Sequence, residues 1–281
     1  MPAKLTEYEY LLFNRFFIEK TGIEIKPEKA YLIETRLEKI LKELNFGSYQ
    51  QLFFAAQTDC GGTLSARIVD AITTNETFWF RDRLPWQYLE QNRMEGYIEE
   101  LRRQKKDKIR IWSAASSTGQ EAYSTAIMID RFLKTRRIAD VTLSQFEIIA
   151  TDISQAVLDA AQKGRFDPIA AARGLDGALL ERYFTKTGPD YEIKEEIRAA
   201  VRFQRFNLQN SFSALGTFDV IFLRYVMIYF SERLRTEIAS KLQTSLKDDG
   251  VLFLGSSELY KCISSSFTTH SFHQGMFYAK S

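Results

Sequence analysis

The sequence predicts an α/β protein in two parts, a mostly parallel sheet covered by helices and an all-helical region in front of it. Three observations predict this. Residues 1 to about 85 carry apolar side chains near helical spacing. From about residue 109, short β-rich runs alternate with helical patterns, the order that a parallel sheet requires. Between 164 and 200 the alternation breaks, and the turn Thr187-Gly188-Pro189-Asp190 joins RYFTK to YEIKEE as a hairpin inserted in the sheet region. The expected division is 1–85, helical with a linker, and 86–281, the sheet domain, with the inserted β-subdomain at about 183–206.

In chain order, LTEYEYLLFNRFFIEKTG reads as a helix stopped by Gly22. From Lys29 to Leu44, Ile33, Leu37, Ile40, Leu41 and Leu44 form one apolar stripe, with Arg36, Glu38, Lys39 and Lys42 off it. SYQQLFFAAQ and TLSARIVDAIT read as two further helices. The strands are IRIWSA (109–114), FEIIATD (146–152), VRFQRF (201–206), FDVIFL (218–223) and VLFLG (251–255). The intervening helices are QEAYSTAIMIDRFLK, SQAVLDAAQKG and SERLRTEIASKLQTSLK. Asp248-Asp249-Gly250 is read as a turn, and SFHQGMFYAK as a final edge strand.

Composition narrows the function. With 38 Lys plus Arg against 36 Asp plus Glu, the chain lacks the basic excess of a nucleic-acid binder. No apolar run approaches the ~18 residues of a membrane span. Two distant cysteines, Cys60 and Cys262, form no disulfide framework and fit a reducing, cytoplasmic setting. The two histidines, His270 and His273, come with no Cys-x-x-Cys or His-Glu-x-x-His, and no Gly-x-Ser-x-Gly elbow is present, so metal and triad chemistry are poor fits.

Ligands of open α/β sheets bind beyond the carboxyl ends of the strands. After IRIWSA, which ends at Ala114, comes the small-residue loop 115–119 and a helix start at Gln120-Glu121; a turn packing helix on sheet explains it equally well. After FEIIAT comes Asp152, placed to accept two ribose hydroxyls, or else to cap the next helix together with Ser154. The two together describe a site for a nucleoside-bearing cofactor without a phosphate-binding lysine, such as S-adenosylmethionine or a dinucleotide. ITTNETFWFRD (72–82) mixes polar Asn75, Thr77 and Arg81 with three aromatics. It is either an aromatic hinge with Asn75 as a helix cap or a cleft-lining segment, with Trp79 for packing. After FDVIFL, Arg224 and Tyr229 stand at the ligand edge; a salt bridge of Arg224 to Asp219 or Glu232 is the plainer option.

ITTNETFWFRD, IWSAASSTGQEAYS, IIATDIS, FNLQN and FDVIFLRYVMIYF, in this order behind a helical region, resemble the CheR family. These are S-adenosylmethionine-dependent methyltransferases that esterify glutamates of bacterial chemoreceptors. The resemblance implies a Rossmann-like methyltransferase domain with a small antiparallel β-subdomain. It implies Asn75, Thr77 and Arg81 at the cofactor or active site, Glu121 at the methionyl end, Asp152 on the ribose, and Asn207 and Leu208 near the adenine. Ala114, Arg224 and Tyr225 complete the implied cofactor set, and Arg81 and Tyr229 the transfer site. The implied partner is the helical methylation region of a cytoplasmic receptor domain, met by a monomer through Arg36, Lys39 and Lys42; a solvated helix with Glu38–Lys42 pairing is the plainer view of those cations. Three departures stand out: Gln120 where the family has Glu, Ala122 where it has Pro, and Tyr225 where it has Asn. The hairpin region also looks short, which implies docking without a pentapeptide tether. Two other readings remain, a cofactor-binding regulatory module that has lost transfer and a methyltransferase for small carboxylates or nucleic acids.

Overall fold

Residues 4–280 are described by a computed structural model. Four helices come first: α1 (Glu7–Thr21), α2 (Tyr31–Glu43), α3 (Tyr49–Thr58) and α4 (Thr63–Ile72). Local chemistry sets their ends. Thr6 and Glu9 form a capping box on α1, Gly22 closes it in the left-handed region, and Ser48 caps α3. Their buried faces meet in one aromatic-rich core of Phe13, Phe16, Phe17, Leu37, Tyr49, Leu52 and Ile68.

The sheet domain follows: α5 (Leu84–Tyr88), α6 (Met94–Arg102), β1 (Ile109–Ala114), α7 (Gln120–Thr135), β2 (Phe146–Asp152), α8 (Gln155–Lys163), β3 (Arg165–Phe166), α9 (Pro168–Ala172), α10 (Gly177–Tyr183), β4 (Phe184–Thr187), β5 (Asp190–Ile193), α11 (Glu195–Arg198), β6 (Val201–Arg205), β7 (Phe218–Leu223), α12 (Glu232–Ser245), β8 (Leu246–Phe253), α13 (Lys261–Ser264), β9 (Thr268–Phe272) and β10 (Gly275–Ala279). The large sheet has seven strands in the order β6-β2-β1-β7-β8-β10-β9, with parallel pairing from β6 to β8 and antiparallel pairing of β10 with both β8 and β9. The central strands β1, β2 and β7 are buried at nearly every position because both faces are covered. Ile109, Ile111, Val220, Phe222 and Phe253 pack on one side with α7, whereas Trp112, Ile221, Leu223 and Leu252 pack on the other with α12.

The expected single edge strand at the C-terminus is a hairpin, β9–β10. β9 is almost wholly exposed, so no alternation of polar and apolar residues marks it. The Asp248–Gly250 segment is a bulge inside β8: Phe218 pairs with Leu246, and Val220 already with Val251. The small sheet has the order β3-β5-β4, so it begins at Arg165 and ends at Ile193. The expected span of about 183–206 differs at both ends. β6 belongs to the large sheet, where it pairs with β2 from Val201 to Arg205, and the hairpin takes its third strand from upstream instead.

Trp79 ties the 72–82 string to this small sheet. It is fully buried, its rings lie edge-on to Phe166 and Phe184, and its Nε1 donates to the Ala170 carbonyl at 2.9 Å. Gly174, at φ +100°, lets the neighbouring loop pass, because a Cβ there would lie 2.1 Å from the Trp79 carbonyl oxygen. Gly174→Ala is expected to lower stability by about 2 kcal/mol or more, combining backbone strain with that clash. A denaturant melt checks this.

Candidate active site

The chain runs outward from β1 to β2 and β6, then returns to β7 on the other side of β1. That reversal is the switch point where α/β sheets bind ligands. The strand ends are level there, since Ala114 pairs with Thr151 on one side and Leu223 on the other, and Asp152 pairs with Arg205. The segments 115–117, 152–153, 206–208 and 224–230 therefore emerge around one cavity. Residues 73–78 and Arg81 form its outer wall. Its empty volume is about 1180 Å³ counted to the open mouth.

Asn75, Thr77, Arg81, Glu121, Asp152, Asn207, Leu208, Arg224, Tyr225 and Tyr229 all line this cavity. Ala114 does not. It is buried under the loop, and Ala115, at φ +58°, takes the place at the wall. Asn75 caps no helix, because α4 ends at Ile72 and the next helix starts at Leu84; its carbonyl accepts from Ser117 Oγ at 2.9 Å. Gln120 is buried, takes a hydrogen bond from Thr118 at 2.7 Å and does not line the cavity, so the missing family carboxylate is lost away from it.

The helix after β2 is capped by Ser154, whose hydroxyl accepts from Val157 N. That leaves Asp152 for other work. Its Oδ1 accepts from Ser154 N at 3.0 Å and its Oδ2 from Ser117 N at 2.9 Å, so each oxygen keeps a lone pair. Burial pushes its carboxyl above the usual aspartate range, although those backbone N–H groups pull the other way. Nearby, Ser116 is 2 % exposed, and its buried hydroxyl has no hydrogen-bond partner among the described residues. A buried orphan hydroxyl at a cavity wall is what a polar ligand would satisfy.

At the other end, Glu121 and Arg224 face each other. Glu121 Oε1 accepts from Ser113 Oγ at 2.7 Å, and its Oε2 from Arg224 Nη1 at 3.0 Å. Arg224 Nη2 reaches Asp82 Oδ2 at 2.5 Å and the Arg81 carbonyl at 2.6 Å. The pairing with Asp219 or Glu232 does not form. Asp219 lies at the opposite end of β7, bonded to Lys106 at 2.7 Å and Lys247 at 2.8 Å. The loop after β7 is held by Glu258, whose Oε2 accepts from Tyr225 N at 2.5 Å and Gly255 N at 2.9 Å. Tyr225 has φ +58°, and Phe80 and Asp82 opposite are also left-handed, a concentration of strain found at functional sites.

The helical region closes the last side of the cavity through Thr21 and Ile23. Asn207 Nδ2 donates to the Lys20 carbonyl at 2.8 Å and Gln209 Nε2 to the Ile18 carbonyl at 2.9 Å, so two sheet-domain amides cap the end of α1. Glu24 N donates to the Tyr229 carbonyl at 2.9 Å. No local pattern announces Thr21, Ile23 or Gln209, nor Glu258. Arg36 and Lys39 lie outside the cavity. Arg36 is committed to main chain, donating to the Ile72 and Thr73 carbonyls at 2.5 and 2.8 Å and to Thr74 Oγ1 at 2.9 Å. Lys39 is exposed and sits 3.8 Å from Glu43, and the Glu38–Lys42 pair forms at 2.7 Å.

No helix of the described residues is long and apolar enough to cross a membrane, and among them no His, Cys, Asp and Glu cluster suits a metal ion. Comparison with known proteins yields two family matches. The CheR methyltransferase all-alpha domain matches residues 9–73, and the CheR methyltransferase SAM-binding domain matches residues 75–276. Chemotaxis protein methyltransferase 1 of Pseudomonas aeruginosa is 42% identical over 260 residues, covering 92% of each chain. Chemotaxis protein methyltransferase of Vibrio anguillarum is 35% identical over 275 residues, covering 98% of this chain and 97% of its own.

Proposed function

Because the chain belongs to the CheR methyltransferase family, we propose that it methylates glutamate side chains of chemoreceptors, forming glutamyl methyl esters in chemotaxis. S-adenosylmethionine is the methyl donor of the family domain that it carries. The observation that carries the reading is the cavity itself, which gathers a two-acceptor acid, an orphan hydroxyl and an acid–arginine pair at the switch point of the sheet.

The residues fit this cofactor. Asp152 keeps one lone pair per oxygen for the ribose hydroxyls, and Ser116 offers an unused hydroxyl. Phe206, Leu208 and Ile153 give an apolar wall for the adenine. Glu121 and Arg224 hold the charged methionyl end. When bound, S-adenosylmethionine supplies an electrophilic methyl group that a carboxylate takes by direct displacement. A glutamate, with a reference pKa of about 4.3, is ionised near neutral pH, so the protein needs no general base. Neither His270 nor His273 lines the cavity. Arg81 orients the incoming carboxylate, and Tyr229 bounds its path.

Docking is assigned to the helical region. The β4–β5 loop is only Gly188-Pro189, which supports a receptor contact without a pentapeptide tether. Lys39, exposed and weakly paired, is the better docking candidate; Arg36 braces the cavity wall. Lys39→Glu is expected to raise the receptor KM a few-fold, more at low salt, with cofactor affinity unchanged. Equal KM values at low and high salt would remove it from the docking surface.

The reading is tested by incubating the protein with receptor and S-adenosylmethionine and locating the added methyl group by mass spectrometry. Methyl groups on glutamates support it, and methyl groups on lysines or on no side chain contradict it. Tight cofactor binding with no transfer to any receptor would favour the regulatory module instead.

A further inference from the structure

We infer that Tyr225 is a positioning residue that aims the Arg81 guanidinium without neutralising it; the inference rests on the reading of Arg81 given above. The Arg81 guanidinium carbon lies 3.7 Å from the centroid of the Tyr225 ring, with the Phe78 ring at 5.4 Å. Its one side-chain hydrogen bond among the described residues runs from Nη1 to the Glu76 carbonyl at 3.0 Å. No carboxylate lies within ion-pair distance of it among those residues. The nearest in sequence, Asp82, is engaged by Arg224 at 2.5 Å and by the Tyr225 hydroxyl at 2.6 Å. Glu76 is turned to Arg173 at 2.7 Å, whose hydrogen bond and charge, with a smaller contribution from the Arg81 charge, hold its carboxyl below the usual range.

An arginine that must meet a substrate carboxylate faces a dilemma. Anchored by a protein carboxylate it is neutralised, and left unanchored it wanders. A π face resolves this, because it binds the flat side of the guanidinium and leaves its in-plane N–H fork for a carboxylate. Tyr225 is itself rigid enough to serve. Its backbone N–H is held by the buried Glu258, and its hydroxyl lies between Asp82 and Ser256 Oγ, the latter at 2.9 Å. The family's asparagine at this position has no ring, so this chain sets its arginine by a different device.

The test is a double-mutant cycle on receptor methylation, with S-adenosylhomocysteine affinity measured by calorimetry on the same proteins. Tyr225→Leu is expected to lower kcat/KM by about tenfold, with S-adenosylhomocysteine affinity within about threefold of wild type. Tyr225→Phe keeps the ring and recovers most of the loss. In an Arg81→Gln background, Tyr225→Leu costs less than about threefold more, because the arginine that it positions is gone. Additive losses would overturn the inference, as would a parallel collapse of S-adenosylhomocysteine affinity, which would make Tyr225 a cofactor contact. If Arg81→Gln alone leaves turnover at the wild-type level, the reading of Arg81 itself fails, a result distinct from additivity.

Discussion

Arg81→Ala is expected to lower receptor methylation by about 10²-fold while S-adenosylhomocysteine binding changes by less than about threefold. The asymmetry follows from the geometry. Arg81 stands on the outer wall of the cavity, stacked on Tyr225, and its side chain makes no hydrogen bond to Asp152, Glu121 or Arg224 among the described residues. On the proposed reading it contributes a directional charge for the incoming carboxylate and no structural strut, so its loss is expected to misplace the nucleophile and spare the nucleoside end. Steady-state kinetics on receptor membranes and calorimetry on the same preparations check both halves. Equal losses in turnover and affinity would move Arg81 into the cofactor set.

Asp152→Ala is expected to produce the opposite pattern, with cofactor affinity reduced about 10²- to 10³-fold. Two charge-assisted hydrogen bonds at about 1.5–3 kcal/mol each support a loss of that size, discounted because pairwise terms do not simply add. The same residue sets a pH dependence. Its carboxyl sits above the ordinary aspartate range because burial disfavours the charged form. Protonation removes the charge and fills a lone pair that a hydroxyl needs, so affinity falls as pH falls, starting at a higher pH than a solvent-exposed aspartate would give. In Asp152→Ala that acid limb should be missing. Ligand-induced thermal shifts measured from neutral to acid pH test it.

Four of the five parallel strands were legible to within a residue, because a strand buried on both faces is a nearly continuous apolar run bounded by turns, as in IRIWSA and FDVIFL. The fifth, β8, begins at Leu246, ahead of the expected run at 251–255, because the polar bulge at Asp248–Gly250 hides its start. Helix ends were legible where one side chain caps one backbone, as at Ser154. What escaped was non-local or weakly patterned. β9 has no buried face, so SFHQGMFYAK looked like one strand. Arg36 looked like a docking charge, because nothing in a helical stripe announces that its guanidinium turns back to the Ile72 carbonyl. The wall made by Thr21 and Ile23 depends on contacts such as Asn207 to Lys20, 187 residues apart. Tyr225 was visible as a departure from the family pattern, but its stacking on Arg81 needed the left-handed turn that Glu258 holds.

The most direct measurement of the central claim uses S-adenosylmethionine carrying a labelled methyl group, receptor membranes and the wild-type protein, followed by mild alkali. A carboxylate acceptor predicts label in the receptor band that alkali releases as volatile methanol, since esters hydrolyse where N-methyl groups do not. Label that survives alkali, or no label in the presence of demonstrated cofactor binding, would contradict glutamate esterification.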